Sequence, residues 1–446
     1  MPYKPLIYKN ISRFESYCGW SYQLPNYKDS AIFPVQKEDR VLRGVDLALL
    51  WAGSAVAVDV WYSGGYLADV GWAAGIAMIV AGSVVGSLIF AAAGLIGSYA
   101  GIPSMVSVRG SFGIRGSYLM SFLNYLTLVG WTAWMININA SAADAVGRLT
   151  FGWEGFGYWI IICGIACTLL ALFRAEGWKW FSRATVVALV VMAAAINVVL
   201  FSNYSWDFLA AIPAGGMRLS VAFDLALIIP LSWAPLAADY MRFSRSPKGG
   251  FFGSFIGQSS VNAWFYATGL ACALAFGMLD PTVYVTMVAG ISFGIVALFV
   301  IWLGTITTTF LDIYSANISL INVMPNLKEW QGTLMTGAAG TLIALLPWLG
   351  VFVDFLYMIG AVFVPMFAIV IADYFIVNKR GYAVAELYDP RGRYWFSHGF
   401  NLCSMAVWGI GIAIYFSLQS FAPSLGMTLP CFLSTFLIYL LAKKIF

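Results

Sequence analysis

Of the acidic residues in stretches otherwise apolar enough to cross a bilayer, four stand out. Asp59 lies in Gly53-Ser54-Ala55-Val56-Ala57-Val58-Asp59-Val60-Trp61, and Asp312 in Thr307-Thr308-Thr309-Phe310-Leu311-Asp312-Ile313-Tyr314. Asp239 and Asp373 stand near the ends of such stretches, in Ala237-Ala238-Asp239-Tyr240-Met241-Arg242 and Ile371-Ala372-Asp373-Tyr374. An acid near mid-membrane costs ~2.5–3.5 kcal/mol on insertion scales, so it marks a functional site or a special pairing. Asp312 has no basic neighbour in the sequence, which favours function. Asp59 is balanced between a site and an aqueous vestibule. For Asp239 and Asp373 the better reading is structural, a carboxylate at a helix end paired with Arg242 or a nearby basic loop.

A second kind of chemistry is offered by hydroxyls. Gly304-Thr305-Ile306-Thr307-Thr308-Thr309 is dense in them. On a buried helix they can simply bond back to carbonyls one turn earlier. They can equally ligate a small hard cation, because an oxygen-only set suits an alkali ion better than a transition metal. Catalysis has little to work with. His398 is the only histidine, and the six cysteines, Cys18, Cys163, Cys167, Cys272, Cys403 and Cys431, form neither a metal-ligand pattern nor a disulfide framework. No nucleophile–base grouping is present, so no catalytic residue is assigned and the chain is expected not to be an enzyme. The Cys163/Cys167 pair, one turn apart, reads as packing.

The elements that must position these groups follow from composition. Of 446 residues 61% are apolar and 10% charged, with a mean hydropathy of +0.83. A soluble chain carries about 25% charged residues, so this one has too little polar surface to dissolve. The 44 glycines show no collagen period. Within lipid only helices and closed barrels satisfy the backbone, and the short alternating segments of a barrel are missing. Twelve apolar stretches predict transmembrane helices, near 44–68, 72–99, 116–145, 156–173, 179–202, 219–241, 251–278, 283–320, 332–349, 351–377, 396–418 and 422–442. The eighth is overlong and is expected to include a loop. The first 43 residues read as a polar cytoplasmic tail rather than a secretory signal. Residues 44–377 then form a ten-helix transport core and 378–395 a cytoplasmic loop. Residues 396–446 hold two peripheral helices and a short tail.

Charge placement sets the orientation. With both termini in the cytoplasm, all of the 24 Lys and Arg residues except Arg148 and Arg218 fall on that side. This is the positive-inside pattern of a multi-pass plasma (cytoplasmic) membrane protein. No Walker loop is present, so direct ATP drive has no support and an ion-gradient-driven carrier becomes the default.

The sixth stretch contains Pro230-Leu231-Ser232-Trp233-Ala234-Pro235, and two prolines five apart remove two backbone donors. The first has Gly53-Ser54-Ala55 and, later, Gly64-Gly65. Paired broken helices five spans apart are what a five-plus-five inverted repeat predicts, with half-helix ends supplying dipoles and free carbonyls. The expected fold is therefore an all-α polytopic membrane protein of 12 helices. Its core is a five-plus-five inverted repeat (LeuT-like) with broken helices 1 and 6.

Three motifs extend this. Arg109-Gly110-Ser111-Phe112-Gly113-Ile114-Arg115-Gly116-Ser117 with Val129-Gly130-Trp131 resembles the loop and third helix of the nucleobase:cation symporter-1 family. Ala237-Ala238-Asp239-Tyr240-Met241-Arg242-Phe243 resembles its sixth-helix end, and Ile371-Ala372-Asp373-Tyr374-Phe375 its tenth. The resemblance covers about residues 44–440 and is strongest to cytosine permeases and hydroxymethylpyrimidine transporters. It implies alternating access with one heterocyclic base carried per cycle. It also implies an ion site of the Gly53, Val56 and Gly304 carbonyls with the Thr307 and Thr308 hydroxyls. That set matches sodium-coupled members, so Na+ is the expected coupling ion, with the proton as the alternative, and no other cofactor or metal is expected. The family's stacking aromatic falls on Trp131. Its helix-8 amide falls on Thr309 and its helix-6 aromatic on Pro230, both departures, and Trp233 is placed to take over the latter's face. The glutamine of cytosine carriers falls on Leu128. An aminopyrimidine would stack on Trp131 and present its polar edge to Asp312, with Asp59 near a hydroxymethyl or amino group. The alternative is a purine or hydantoin-like base on the same fold. Expected partners are a small heterocyclic base and membrane lipid, with no nucleic acid and no obligate protein.

Overall fold

The computed structural model describes residues 32–173, 177–347 and 351–445. Most of the expected tail, with Lys4, Lys9, Arg13, Cys18 and Lys28, and also Arg174 and the side chains of Lys179 and Arg183, lie outside the described residues. Among those described the chain is helical, its extended pairings being the isolated bridges Leu42–Ser244 and Ser397–Phe400.

In chain order the helices are α1 (Gly44–Ala55), α2 (Val58–Gly65), α3 (Trp72–Ala100), α4 (Ser104–Ser107), α5 (Arg109–Phe112) and α6 (Ile114–Phe151). Then come α7 (Phe156–Phe173), α8 (Gly177–Asn203), α9 (Trp206–Ala211), α10 (Leu219–Ser232), α11 (Ala234–Met241) and α12 (Pro247–Phe276). The chain ends with α13 (Pro281–Val323), α14 (Glu329–Ala344), α15 (Phe352–Ala372), α16 (Leu402–Phe421) and α17 (Thr428–Ile445). Among the described residues 8 helices are long and apolar enough to span a membrane, or up to 10 if each bent pair is one span. The shorter Phe156–Leu172 and Glu329–Ala344 are consistent with the twelve expected.

The inverted repeat is visible in which helices touch. If spans 1–5 (α1/α2, α3, α6, α7, α8) are exchanged with spans 6–10 (α10/α11, α12, α13, α14, α15), most of the main contacts map onto one another, those of α8 with α13 and of α10 with α15 excepted. The α3–α12, α6–α13 and α7–α14 pairs are their own mates. The α1/α2–α12 contact exchanges with α10/α11–α3, and α6–α14 with α13–α7. Without a hydrophobic drive between helices in lipid, close contact comes from small residues. Accordingly Gly253 and Gly257 of α12 lie on the Gly44 and Ala48 carbonyls of α1, while Gly82 and Gly86 of α3 lie on Ala226 and Leu227 of α10. Gly257→Leu would drive a side chain into the Ala48 backbone. The expected result is a loss of about 1–3 kcal/mol or more, read as a lower melting temperature in detergent.

The first span breaks as expected but not at the expected residues. Gly53-Ser54-Ala55 and Gly64-Gly65 are helical. The break falls at Val56 (φ −77°, ψ 68°) and Ala57 (φ −139°, ψ 147°), and the two halves meet at 57°. Gly64 instead fits against the Tyr266 backbone. The sixth span is interrupted more mildly than two prolines suggest. Pro230 stays inside α10, Trp233 alone leaves the helix as a turn, and Leu219–Met241 runs on as one span. Pro235 is tolerated because it falls in the first turn of α11, where its missing N–H is one of the unsatisfied set. The overlong eighth stretch divides at Gly290, whose φ of 73° suits glycine. Pro281–Met287 is bent 66° from Pro247–Phe276, and Gly290–Val323 forms the span proper.

Both described chain ends lie on one face. There residues 32–43 form a strap. Val35 N–H donates to the Gly101 carbonyl (2.8 Å) and the Arg40 guanidinium to the Ser98 carbonyl (2.7 Å). Leu42 exchanges backbone bonds with Phe243 and Arg245, and the Tyr388 hydroxyl donates to the Ile32 carbonyl (2.7 Å). On the same face, hydrogen bonds from Arg393 hold the Glu386 carboxyl below the usual carboxylate range.

Candidate functional site

Two of the residues expected to hold an ion, Gly53 and Gly304, pack against one stretch of α8. Where α1 ends, its last carbonyls lose the donors one turn on. Val56 N–H closes on the Ala52 carbonyl, and no further residue continues the ladder. Gly53 of α1 packs on Val186 and Gly304 of α13 on Leu189, one turn apart on α8, so α8 backs both. The Thr307 hydroxyl donates to the Gly304 carbonyl (2.7 Å) and the Thr308 hydroxyl approaches it at 3.4 Å. Val56, Thr307 and Thr308 are buried.

Trp131 is buried on α6, with its ring edge-on to Phe352 (6.1 Å) and Phe355 (5.4 Å) of α15. One turn on, Trp134 stacks on Phe352 at 4.1 Å and meets Tyr62 of α2 edge-on at 5.4 Å. Trp233 stands at the interruption itself, but its ring meets Trp51 (6.1 Å) in a separate cluster with Phe90, Leu128 and Ala316. The two indoles are therefore not brought face to face. Pro230 packs over Gly86 of α3. The Thr309 hydroxyl is buried, donating to the Thr305 carbonyl (2.7 Å) on the side of Cys167. Of the helix-6 and helix-8 departures, Pro230 and Thr309 thus serve helix contacts.

The acids divide in two. Asp239 accepts from Ser104 N–H (2.9 Å), and the Ser104 hydroxyl accepts from Ala238 N–H (3.0 Å), so this acid locks α4 to α11. Asp373 accepts from the hydroxyls of Tyr439 (2.6 Å) and Tyr382 (2.7 Å) and from the Asn378 amide (2.9 Å). It ties the end of α15 to α17 and to the following loop. Asp373→Ala should cost about 1–3 kcal/mol of stability by stranding two buried hydroxyls, with heterocycle KM unchanged. A thermal-shift assay beside uptake kinetics separates the two effects. Asp59 and Asp312 behave differently. Both are buried, and one oxygen of each, Asp59 Oδ1 and Asp312 Oδ2, has no hydrogen-bond partner. Their helices, α2 and α13, pack against one another. Asp312 stands one turn beyond Thr308, on the same face of α13.

Two features escaped the sequence reading. Arg109, expected in a cytoplasmic loop, is buried and donates to Asn322 Oδ1 and the Leu387 carbonyl (3.1 Å), with its guanidinium over the Tyr388 ring. Asn322 in turn donates to the Ser121 (2.7 Å) and Ser117 (3.3 Å) hydroxyls, and Asn124 to the Ser319 hydroxyl (2.8 Å). Polar residues at i, i+4, i+7 on α6 were the available signal. Asp224, passed over as one more acid, accepts from Met427 and Thr428 N–H and docks the start of α17.

A multi-pass helical fold with an inverted repeat, a span broken at mid-length and two buried acids defines a membrane carrier. The chain belongs to the family described as "Permease for cytosine/purines, uracil, thiamine, allantoin", matched over residues 34–440. It is 24% identical over 409 residues to the hydantoin permease of Microbacterium maritypicum, covering 86% of this chain and 83% of that one. It is 27% identical over 347 residues to the cytosine permease of Escherichia coli O157:H7, covering 75% of each. Among solved structures it resembles the nucleobase-cation-symport-1 family transporter Mhp1 in a closed conformation with bromovinylhydantoin bound. The TM-score is 0.84 at 20% identity, over 93% of this chain and 95% of the other.

Proposed function

We propose that the chain is a sodium-coupled symporter that imports a pyrimidine-type base, such as hydroxymethylpyrimidine or cytosine, by alternating access. It sits in the plasma (cytoplasmic) membrane with both termini cytoplasmic. The observation that supports this reading is the break at Val56–Ala57, with Gly53 just before it and Gly304 of α13 both packed on α8, at Val186 and Leu189. Carbonyls freed by the break and the Thr307 and Thr308 hydroxyls hold Na+. Trp131 offers a ring face to a flat solute, Asp312 accepts from its amino edge, and Asp59 meets its remaining polar substituent. Trp233 closes the opposite side when its span rearranges about the one-residue interruption. Sodium and solute favour the same conformation because the ion gathers α1 and α13 around the solute, which makes the two binding events mutually supportive.

A second reading, a proton-coupled carrier of a purine or hydantoin-like base, is favoured by Leu128 at the cytosine carriers' glutamine position and by the hydantoin permease among its relatives. Competition uptake with hydroxymethylpyrimidine, cytosine, uracil, hypoxanthine and hydantoin, in sodium and in choline buffers, separates the two. Sodium-stimulated uptake competed best by an aminopyrimidine is expected. Uptake indifferent to sodium and competed best by hypoxanthine or hydantoin selects the second.

A further inference from the structure

Arg115, in the motif that begins α6, takes no part in the site described above, and it stands where the ends of α6, α16 and α17 approach one another. Its N–H and that of Gly116 donate to the Gly399 carbonyl (2.8 and 3.1 Å), which fastens the turn of residues 395–400 to the start of α6. The Gly399 N–H closes that turn on the Trp395 carbonyl (2.8 Å), and the Asn401 N–H pins it to the Phe112 carbonyl (2.8 Å). Held in this way, Trp395 and Phe396 lie between two cations. The Arg115 guanidinium stands over the Trp395 ring at 5.1 Å, and the Lys443 ammonium of α17 lies 5.9 Å from the Phe396 and Tyr439 ring centres. Phe396 is 40% exposed with a φ of 46°, a left-handed conformation that a bulky residue adopts only when its surroundings impose it. Lys444 adds a third charge, and residues 402–446 contain no acid. The acids of the preceding segment are committed: Glu386 to Arg393 (3.0 Å), Asp389 to the Arg391 N–H (2.8 Å), and buried Asp373 to Tyr382, Tyr439 and Asn378. Among the described residues, Arg115, Lys443 and Lys444 make no salt bridge.

These cations also head exposed apolar rows. On α6 the positions four, seven and eleven beyond Arg115 are Leu119, Phe122 and Leu126, all exposed. On α17 the row running back from Lys444 is Leu441, Leu437 and Leu433, also exposed. We propose that this corner binds an anionic glycerophospholipid of the leaflet it meets. The phosphodiester lies between Arg115 and Lys443, the glycerol and ester region rests on Trp395 and Phe396, and the acyl chains run along the two rows. Arg115 supplies a planar fork that matches phosphate oxygens, and Lys443 a mobile point charge. Exposed aromatics at this depth suit the boundary between headgroup and chain. A zwitterionic lipid brings its own cation to a patch already positive, and a phosphate without chains leaves the rows uncovered, so the chemistry selects an anionic lipid over either. One lipid held at both cations ties α6 to α17 through the membrane boundary. The site is independent of which solute is carried.

The test titrates the delipidated full-length protein, in a neutral detergent, with dioleoyl phosphatidylglycerol, dioleoyl phosphatidylcholine and sn-glycerol 3-phosphate, and reads bound ligand by native mass spectrometry. Phosphatidylglycerol should bind about tenfold or more tightly than phosphatidylcholine. Arg115→Gln combined with Lys443→Gln should remove most of that preference. Lys37→Gln combined with Lys248→Gln, which deletes two exposed charges elsewhere on the protein, should leave it in place. Equal binding of the two lipids by wild type overturns the proposal, as does a preference that survives the first double variant or falls equally in the second. Glycerol phosphate binding as tightly as phosphatidylglycerol also overturns it, because the chains would then contribute nothing. A measurement on wild type alone keeps the proposal falsifiable should the variant fail to fold. Phosphatidylglycerol, but not phosphatidylcholine, should slow amide hydrogen exchange over residues 391–401 and at the last turn of α17. Slowing confined to other segments, or equal for the two lipids, overturns it.

Discussion

Asp312→Asn should abolish uptake while leaving the protein at least as stable as the parent. The two halves of that expectation have one cause. Asp312 Oδ2 is buried without a hydrogen-bond partner, so in the empty protein the carboxyl is a cost rather than a support. Asparagine keeps the shape, removes the ionisable group and so relieves the cost. With solute bound, the same change deletes the charged acceptor for the amino edge. A lost hydrogen bond to a charged group is worth ~1.5–3 kcal/mol, so solute affinity should fall about ten- to a hundredfold. Radiolabelled uptake in vesicles reads the first half and a thermal melt of the purified variant reads the second. Normal uptake by the variant would remove the edge-binding role. A strong loss of stability would mean that Asp312 is a structural acid like Asp239 or Asp373.

Thr308→Ala should weaken sodium stimulation by about tenfold or more in the sodium concentration needed for half-maximal uptake, with the fold intact. The Thr308 hydroxyl approaches the Gly304 carbonyl at 3.4 Å, a long contact that leaves its oxygen free to turn to an ion. Removing one of about five oxygen ligands costs a small hard cation one of its strongest contacts. Thr305→Ala, outside the proposed ligand set, is the control on the same helix; its hydroxyl donates to the Ile301 carbonyl at 2.9 Å. Sodium dependence unchanged in Thr308→Ala but altered in Thr305→Ala would move the ion away from the proposed turn.

The particulars show how far residues alone reach. Hydropathy placed the helices long and apolar enough to span, because an apolar run of this length has few other stable fates. It also flagged the stretch at 283–320 as holding a loop, and Gly290 divides it. Local signals misplaced the breaks. Val56 and Ala57, where the first span opens, carry no proline or glycine to announce it. Gly64 was spent instead on close approach to Tyr266. Prolines in the sixth span overstated the disruption, since a proline in the first turn of α11 removes nothing the helix needs. Asp239 and Asp373 were expected to pair with Arg242 or a basic loop, whereas the donors to their carboxyls include the Ser104 N–H and the Tyr382, Tyr439 and Asn378 side chains. Tyr382 lies 9 residues on and Tyr439 66 residues on, and only tertiary packing brings both hydroxyls to Asp373. Charge placement assigns Arg109 to a cytoplasmic loop and does not foretell its burial. Burial of α4 and α5 depends on contacts with the 378–401 loop that no local pattern encodes.

The central claim is that solute and sodium meet at one break in the first span and bind there as a coupled pair. Equilibrium titration of the purified protein with its best-competing heterocycle, in sodium and in choline, tests it most directly when sodium is also titrated with and without the solute. The account predicts that each ligand raises the affinity of the other by the same factor, about five- to a hundredfold, and that Thr308→Ala removes the coupling. Solute affinity identical in sodium and choline would contradict it.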